Sequence, residues 1–347
     1  MLIALATIFI LLLFLVFVEK FLGKYKWLMY IVIGIAMIAC AGLRPVGFDR
    51  DSPNYEMVFL NPDSSALSLA VEPLFIVLSK LLYVIYPDVQ ILLLTFALVG
   101  VTIKFVAIRQ LSPLFFLPLI IYFCNFYLLH EMTQIRAGIA SSLFLLTIKP
   151  LASGKKLAPL LIILLASTFH LSALSLLPLL FLNNKPIKPV WKIVMACLVP
   201  ACFLLYFLDL DLLTAIPIPY ISERIELYKA HSEFGDVDKE SILNPFPLMK
   251  MAVFLYFLYF ADTIKHYVPS INLIIKILGC SLLVYFAFAS IKIISTRLSE
   301  LYGIVEIVAY PCILFTIRPK IVGIILVCIM AFIEIFFNLY MWEIFNF

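Results

Sequence analysis

Charge is scarce in this sequence, and every common signature of a soluble enzyme is missing. Asp, Glu, Lys and Arg make up 13% of its 347 residues, against 65% hydrophobic residues and a mean hydropathy of +1.13. A soluble core cannot absorb that much apolar surface, which excludes a water-soluble globular enzyme and leaves a bundle of membrane helices. There is no CxxC pair and no Cys/His ligand spacing. The seven cysteines (Cys40, Cys124, Cys197, Cys202, Cys280, Cys312, Cys328) lie in apolar runs, so they read as small buried hydrophobes with no disulfide framework. No GxGxxG, Walker loop, HExxH, internal repeat or low-complexity tract occurs. Nothing therefore points to nucleotide chemistry on the cytoplasmic side, to a metal or cofactor, or to nucleic acid. The first segment, MLIALATIFILLLFLVFV, lacks a basic leader and a small-residue cleavage site, so it reads as a retained helix.

What is present is a succession of apolar runs. A helix needs about 20 apolar residues to cross the hydrocarbon core. Candidate spans are 2–18, 27–43, 89–108, 113–129, 133–148, 190–208, 248–264, 271–289, 302–317 and 321–340. Two more stretches, 72–86 and 157–182, fit a full span less well. The expectation is an all-α, polytopic integral membrane helix bundle of about 10–12 membrane segments, with residues 1–347 as a single transmembrane domain.

Basic residues in short loops set the orientation. Lys20, Lys24 and Lys26 separate the first two spans, which puts that side in the cytoplasm and residues 44–71 in an outer loop. Arg109, KPLASGKK (149–156), KPIKPVWK (185–192), Lys265, Arg318 and Lys320 should then be cytoplasmic. Residues 157–182 have basic loops at both ends. A re-entrant hairpin of two half-helices satisfies the charge rule, because irregular backbone is allowed where it lines a cavity; an ordinary span is the alternative. With the hairpin, and with 72–86 lying on or dipping into the outer face, 209–247 becomes a second outer loop. It carries eight carboxylates against three Lys/Arg, and Ile221, Ile225 and Tyr228 suit one face of a short amphipathic helix.

Ionisable groups at membrane depth are costly, so each is a functional candidate. Each also has a plain structural explanation. Arg44 could snorkel, Asp49 and Asp51 are turn residues beside Gly47 and Pro53, and Glu72 precedes Pro73 at a helix start. Arg136 precedes the small residues AGIASS and could pair with Glu131 or a loop carboxylate. His170 could be a hydrogen-bonded structural histidine, Arg297 and Glu300 an i, i+3 pair, and Glu306 the partner of Lys276 or Lys292. Tyr122, Phe126 and Tyr127 read as an interfacial aromatic edge, with sugar stacking as the alternative. What changes the weighing is convergence. Arg44, Arg136 and Arg297 come from distant parts of the chain and reach the same outer leaflet. Three guanidinium forks suit an anion with several oxygens, such as a diphosphate leaving group presented from the bilayer.

Five short motifs occur in order between residues 44 and 302. They are Arg44-Pro45-x-Gly47-x-Asp49 followed by Tyr55 and Phe59; Glu72-Pro73; Gln134-Ile135-Arg136; Phe169-His170-x-Ser172-Ala173; and Arg297-Leu298-Ser299-Glu300-Leu301-Tyr302. In this order the sequence resembles the EpsG/Wzy-like family of bacterial polysaccharide polymerases. One departure is Leu301, where an aromatic residue would be familiar. The resemblance implies a GT-C-like membrane glycosyltransferase of O-antigen, capsule or exopolysaccharide synthesis, multi-pass in the bacterial cytoplasmic (inner) membrane. Its substrate would be a polyprenyl-diphosphate-linked oligosaccharide, polymerised on the outer face with release of polyprenyl diphosphate and without a metal. A chain-length regulator protein is an expected partner beside the lipid bilayer.

On that reading Arg44, Arg136 and Arg297 bind the diphosphate. The base is Asp49, in the loop that Arg44 anchors, or else His170 or Glu72. Tyr55, Gln134 and Glu300 orient the substrate. A ligase moving finished glycan to another lipid shares the donor. A flippase of lipid-linked glycan is a different class, which should carry charges through the membrane depth and inverted repeats. A membrane acyltransferase using His170 is a further alternative.

Overall fold

A computed structural model of the chain describes residues 1–61, 72–207, 245–289, 292–341 and 345. The chain divides into two units: Met1–Asn184 with Thr263–Ile271 and Ile304–Phe347, and Lys185–Asp262 with Asn272–Gly303.

The first unit opens with α1 (Leu2–Val18), α2 (Tyr25–Gly42), α3 (Ser52–Leu60), α4 (Pro73–Ile85) and α5 (Val89–Leu111). It continues through α6 (Phe116–Tyr122), which widens into a π-helix over Phe123–Glu131, then α7 (Ile135–Ala152) and α8 (Leu157–Phe169). Local chemistry sets several of these starts. Glu72 is extended, as a residue before proline tends to be, and Pro73 supplies a first helical residue that needs no N–H. Asp88 caps α5 by accepting the Gln90 N–H at 2.8 Å. Helix α5 packs between α2 and α7, and α7 packs in turn against α8.

The second unit holds α9 (Pro189–Phe207), most of α10 (Pro245–Ile264), α11 (Ile271–Ala287) and α12 (Lys292–Gly303). Gly279 on α11 lets the helices close up, since a Cβ there would stand 3.2 Å from Met195 and from Phe254. Ser281 donates to the Ser299 carbonyl and Ser295 to the Tyr285 carbonyl, both at 2.7 Å, which ties α11 to α12. The chain then re-enters the first unit as α13 (Glu306–Ala309), a 3-10 turn over Tyr310–Phe315, and α14 (Lys320–Phe336).

The protein is an all-helical, polytopic membrane protein, with fewer full-length spans than expected. Among the described residues, five helices are long and apolar enough to cross a bilayer: Tyr25–Gly42, Val89–Leu111, Ile135–Ala152, Phe246–Ile264 and Lys320–Tyr340. A sixth arises if Ile294–Gly303 and Glu306–Phe315 count as one span. The expected span 302–317 is thus broken after Gly303. Other runs form shorter apolar helices; Leu2–Val18 and Ile271–Ala287 have 17 residues each. At 1.5 Å per residue that is about 25 Å, a little short of the ~30 Å hydrocarbon core. The amphipathic helix expected around Ile221, Ile225 and Tyr228 falls outside the described residues, as do residues 62–71 of the first loop.

Residues 157–182 fold as the hairpin that their two basic ends suggested. Helix α8 stops at Phe169, His170 is extended, and a 3-10 helix over Leu171–Phe181 turns back along α8. The Lys156 ammonium, just before the first half, lies 5.7 Å from the Phe181 ring at the end of the second. His170 is therefore the tip. Loops expected on one side also gather. Asn184 donates to the Pro269 carbonyl at 2.8 Å, and Tyr267 stacks on Phe315 at 4.4 Å. Elsewhere the Arg109 guanidinium sits 3.7 Å from the Phe115 ring and 5.5 Å from Trp27 at the start of α2. At the far end of α2, residue 345 pairs with Asp49 in an antiparallel bridge and Phe345 lies 4.6 Å from Phe48.

A hairpin puts both its ends on one side of the membrane, whereas a full span separates them. In a variant lacking the native cysteines, Ser153→Cys and Asn183→Cys should react with an impermeant maleimide from the same side, and Asn54→Cys from the opposite one. Labelling of positions 153 and 183 from opposite sides would restore an ordinary span.

Candidate active site

Two of the predicted arginines have carboxylate partners in the first unit, in very different surroundings. Arg44 ends the α2 segment and is wholly buried. Its Nε donates to Asp49 Oδ2 at 2.8 Å, and one terminal nitrogen donates to the carbonyls of Ala41 (2.7 Å) and Glu131 (3.2 Å). Asp49, equally buried, uses its other oxygen to accept the backbone N–H groups of Asp51 and Ser52 at 3.0 and 2.9 Å. That caps α3 in the manner of an Asx turn. Gly47, at φ 85°, supplies the left-handed residue the turn needs, and its N–H reaches Ser52 Oγ at 2.9 Å. Asp49 is thus held on both sides, with Arg44 on one oxygen and α3 on the other.

The second arginine is open. From Phe115 to Leu145 every residue is buried except Gln134 and Arg136, which flank the first residue of α7. Arg136 forms an ion pair with Glu72, and its guanidinium lies 5.6 Å from the Phe75 ring. Glu72 extends its other oxygen to the hairpin tip. There it stands 3.2 Å from His170 Nδ1 and accepts the Leu171 N–H at 3.1 Å. The side chains of Arg136, Glu72 and His170 are 24%, 14% and 17% exposed, so solvent or a ligand reaches all three. Tyr55 of α3 is buried close by, near enough for the Arg136 charge to act on its hydroxyl.

Aromatic rings fix this geometry from behind. Tyr55 packs on Phe75 at 5.8 Å, Phe75 on Phe96 at 5.5 Å, and Phe96 on Phe169 at 6.2 Å. One chain of edge-on and tilted contacts therefore joins α3, α4, α5 and the hairpin. Burial works to raise the Glu72 pKa, but the His170 hydrogen bond and the Arg136 charge outweigh it and hold the carboxyl down at about 2. Glu72 is ionised at neutral pH, so His170 Nδ1 is the donor in their contact. Burial and the nearby Asp51 charge push the Tyr55 hydroxyl up, so it stays protonated.

Other expected residues lie on other elements. Arg297, exposed, and Glu300, half-buried, lie on α12 of the second unit. Tyr122, Phe126 and Tyr127 are fully buried core residues and mark no interface; Tyr127 donates to the Met37 carbonyl at 2.7 Å. Glu131 pairs with Lys104 and leaves Arg136 to Glu72. Glu306 is buried within reach of the Tyr310 hydroxyl, while Lys276 donates to the Lys185 carbonyl at 3.1 Å. The seven cysteines are all free, Cys197 alone being exposed. Lys104 was not among the sequence candidates, although a lysine well inside an apolar 23-residue helix, a turn before the Arg109 at its end, was a readable signal.

A family model, that of the EpsG family, matches residues 26–346, nearly the whole chain and a range that includes all five motifs. The chain belongs to the EpsG family. No curated protein and no solved structure matches it. Membership in this bacterial family, together with the membrane-length helices, makes it a multi-pass membrane protein of polysaccharide-polymerase type. Within this EpsG-family chain, Glu72, Arg136 and His170 are motif residues that contact one another and are part-exposed, and Gln134, two residues before Arg136, is part-exposed as well.

The depressed Glu72 pKa carries a pH signature. A carboxylate whose folded pKa lies below its unfolded value of 4.5 stabilises the fold above that pH, and the contribution disappears as pH falls through about 2. In detergent, Glu72→Gln should lower stability by about 1–3 kcal/mol at neutral pH, the pair being partly solvent-screened. The difference from native protein should shrink between pH 4.5 and about 2 in thermal unfolding curves. A difference that stays constant through that window would show that Glu72 is not ionised as described.

Proposed function

We propose that this EpsG-family protein is a membrane glycosyltransferase that polymerises polyprenyl-diphosphate-linked oligosaccharide repeat units on the outer face of the bacterial cytoplasmic membrane. The observation that carries the reading is the open cluster of Arg136, Glu72 and His170. It sets a permanent cation beside an imidazole whose tautomer is fixed by an ionised carboxylate, in an otherwise closed part of the bundle. Such a cluster suits a reaction in which a hydroxyl loses a proton while an anionic group departs.

With Nδ1–H committed to Glu72, His170 Nε2 accepts the proton of the acceptor sugar hydroxyl. The acceptor oxygen forms the new bond to the anomeric carbon of the growing chain. The bond from that carbon to the diphosphate oxygen breaks, and its electron pair leaves with polyprenyl diphosphate. Arg136 donates to the phosphate oxygens where charge builds up. The proton on His170 passes afterwards to the diphosphate or to solvent. Glu72, held at about 2, is too weak a base for the proton transfer itself and acts by orienting its two partners. Asp49, with both oxygens engaged, holds Arg44 and caps α3. Tyr55 and Gln134 orient substrate through hydrogen bonds. Arginine in place of a metal is part of the proposal, as is a chain-length regulator partner on family grounds. Arg297 and Glu300 are kept as diphosphate-binding and orienting candidates on sequence grounds alone.

Purified protein given a synthetic polyprenyl-diphosphate repeat unit should make a ladder of longer glycans in the presence of a metal chelator and without nucleotide. Arg136→Ala should cut the rate about 10²–10³-fold, and His170→Ala about 10²–10⁴-fold. Both should leave protein levels intact. Arg297→Ala tests that residue separately, with a loss of the same order expected. Product that stays at one repeat while lipid moves between leaflets would replace the polymerase with a flippase. Transfer of whole glycan to a different lipid would make it a ligase.

A further inference from the structure

Behind the open cluster lies a second set of charges that the proposed reaction does not use. Lys104, sixteen residues into the 23-residue α5, is fully buried, and Glu131, the last residue of the π-helix, is 2% exposed. They form a salt bridge. The same ammonium donates to the Gly138 carbonyl at 2.9 Å and lies 3.4 Å from Ser142 Oγ, which itself donates to the Gly138 carbonyl. Lys104 therefore grips the chain at residue 131 and again at residue 138. Between these points lie only the turn and first helical residues that present Gln134 and Arg136.

Other contacts close the same turn. Arg44 donates to the Glu131 carbonyl from the opposite side at 3.2 Å, and the Gln134 N–H donates to the Leu129 carbonyl at 2.9 Å. His130 Nδ1 is hydrogen-bonded to Ser141 Oγ at 3.0 Å. Two glycines make room for the pair. A Cβ on Gly100 would stand 3.1 Å from Glu131 Oε1, and one on Gly138 would stand 3.3 Å from His130. A π-helix ending at this spot fits the pattern, since such widened turns re-aim the backbone that follows, often at functional sites.

We infer that Lys104 and Glu131 are positioning residues for Arg136: their buried pair clamps the 131–138 turn and so fixes where the guanidinium stands. Neither touches substrate. The inference rests on the proposed glycosyl transfer for its consequence, but the clamp itself is read from the geometry. Misplacing a group that meets the departing diphosphate lowers the rate of the chemical step more than it weakens substrate binding.

The informative variant is the double substitution Lys104→Met with Glu131→Leu. It removes both charges together, so no uncompensated charge is left in the bundle and the fold is kept. Two quantities are measured on full-length protein in detergent. One is kcat and KM for elongation of the synthetic repeat unit. The other is the rate at which phenylglyoxal modifies Arg136, followed by mass spectrometry. The expected result is a kcat about tenfold to a hundredfold lower, with KM within about twofold of native. Arg136 modification should be several times faster, because the guanidinium is no longer held against Glu72. Native kcat with native modification rate would overturn the inference, since charge compensation alone would then suffice. If the double variant does not fold, Gly100→Ala decides. It keeps both charges but presses on Glu131, and it should lower kcat and speed modification at unchanged melting temperature; native values in both would overturn the inference. If native protein makes no ladder at all, the proposed function fails and the modification rate alone judges the clamp.

Discussion

Arg44 with Asp49, Lys104 with Glu131 and Arg136 with Glu72 put three cations inside an apolar bundle, and each is matched by a carboxylate from another element or turn. Away from water an unpaired charge is costly; breaking a buried pair by removing one member typically costs about 3–5 kcal/mol. The chain must therefore bring these partners together, and in doing so it fixes which segments meet. Arg44 and Asp49 fold the first loop back on the end of α2. Lys104 and Glu131 lock α5 to the π-helix and to the start of α7. Glu72 draws the start of α4, the start of α7 and the hairpin tip to one point.

The three pairs differ in access, and their roles follow from that difference. The first two are sealed, and Arg44, Asp49 and Lys104 each also bond backbone groups. The third is partly open, and its carboxylate shares itself between a cation and an imidazole. A closed pair orders backbone. An open one, carrying a histidine at its edge, can also exchange a proton and meet an anion. The first unit thus uses one kind of interaction twice for architecture and once for the site proposed to do chemistry.

Much of this was legible in the sequence. Apolar runs mark the helices within a few residues, and the basic loops at both ends of 157–182 favour the hairpin over an ordinary span. Arg136 and His170 stood out because charge and imidazole are rare in such runs. Pairing was harder to read. Nothing local distinguishes Glu72 from Glu131 as the partner of Arg136, and the choice depends on which face of α5 carries Lys104. Asp49 was a candidate base because it lies in the loop that Arg44 anchors, and only the geometry reveals that both its oxygens accept hydrogen bonds. Tyr122, Phe126 and Tyr127 misled for a related reason. An aromatic cluster at the end of an apolar run resembles an interfacial belt, yet here the run widens into a π-helix at the centre of the unit.

The bridge between Asp49 and residue 345 joins the loop after α2 to a segment nearly three hundred residues further along the chain. At roughly 5–20 residues per second, the intervening chain takes on the order of 15–60 s to synthesise. Through that interval the loop holding Arg44 has no residue 345 to pair with Asp49 and no Phe345 ring to pack on Phe48. The loop is therefore finished only after α14 has been made. Assembly and completion of this face coincide, and a chain stalled before α14 would leave it open at its edge.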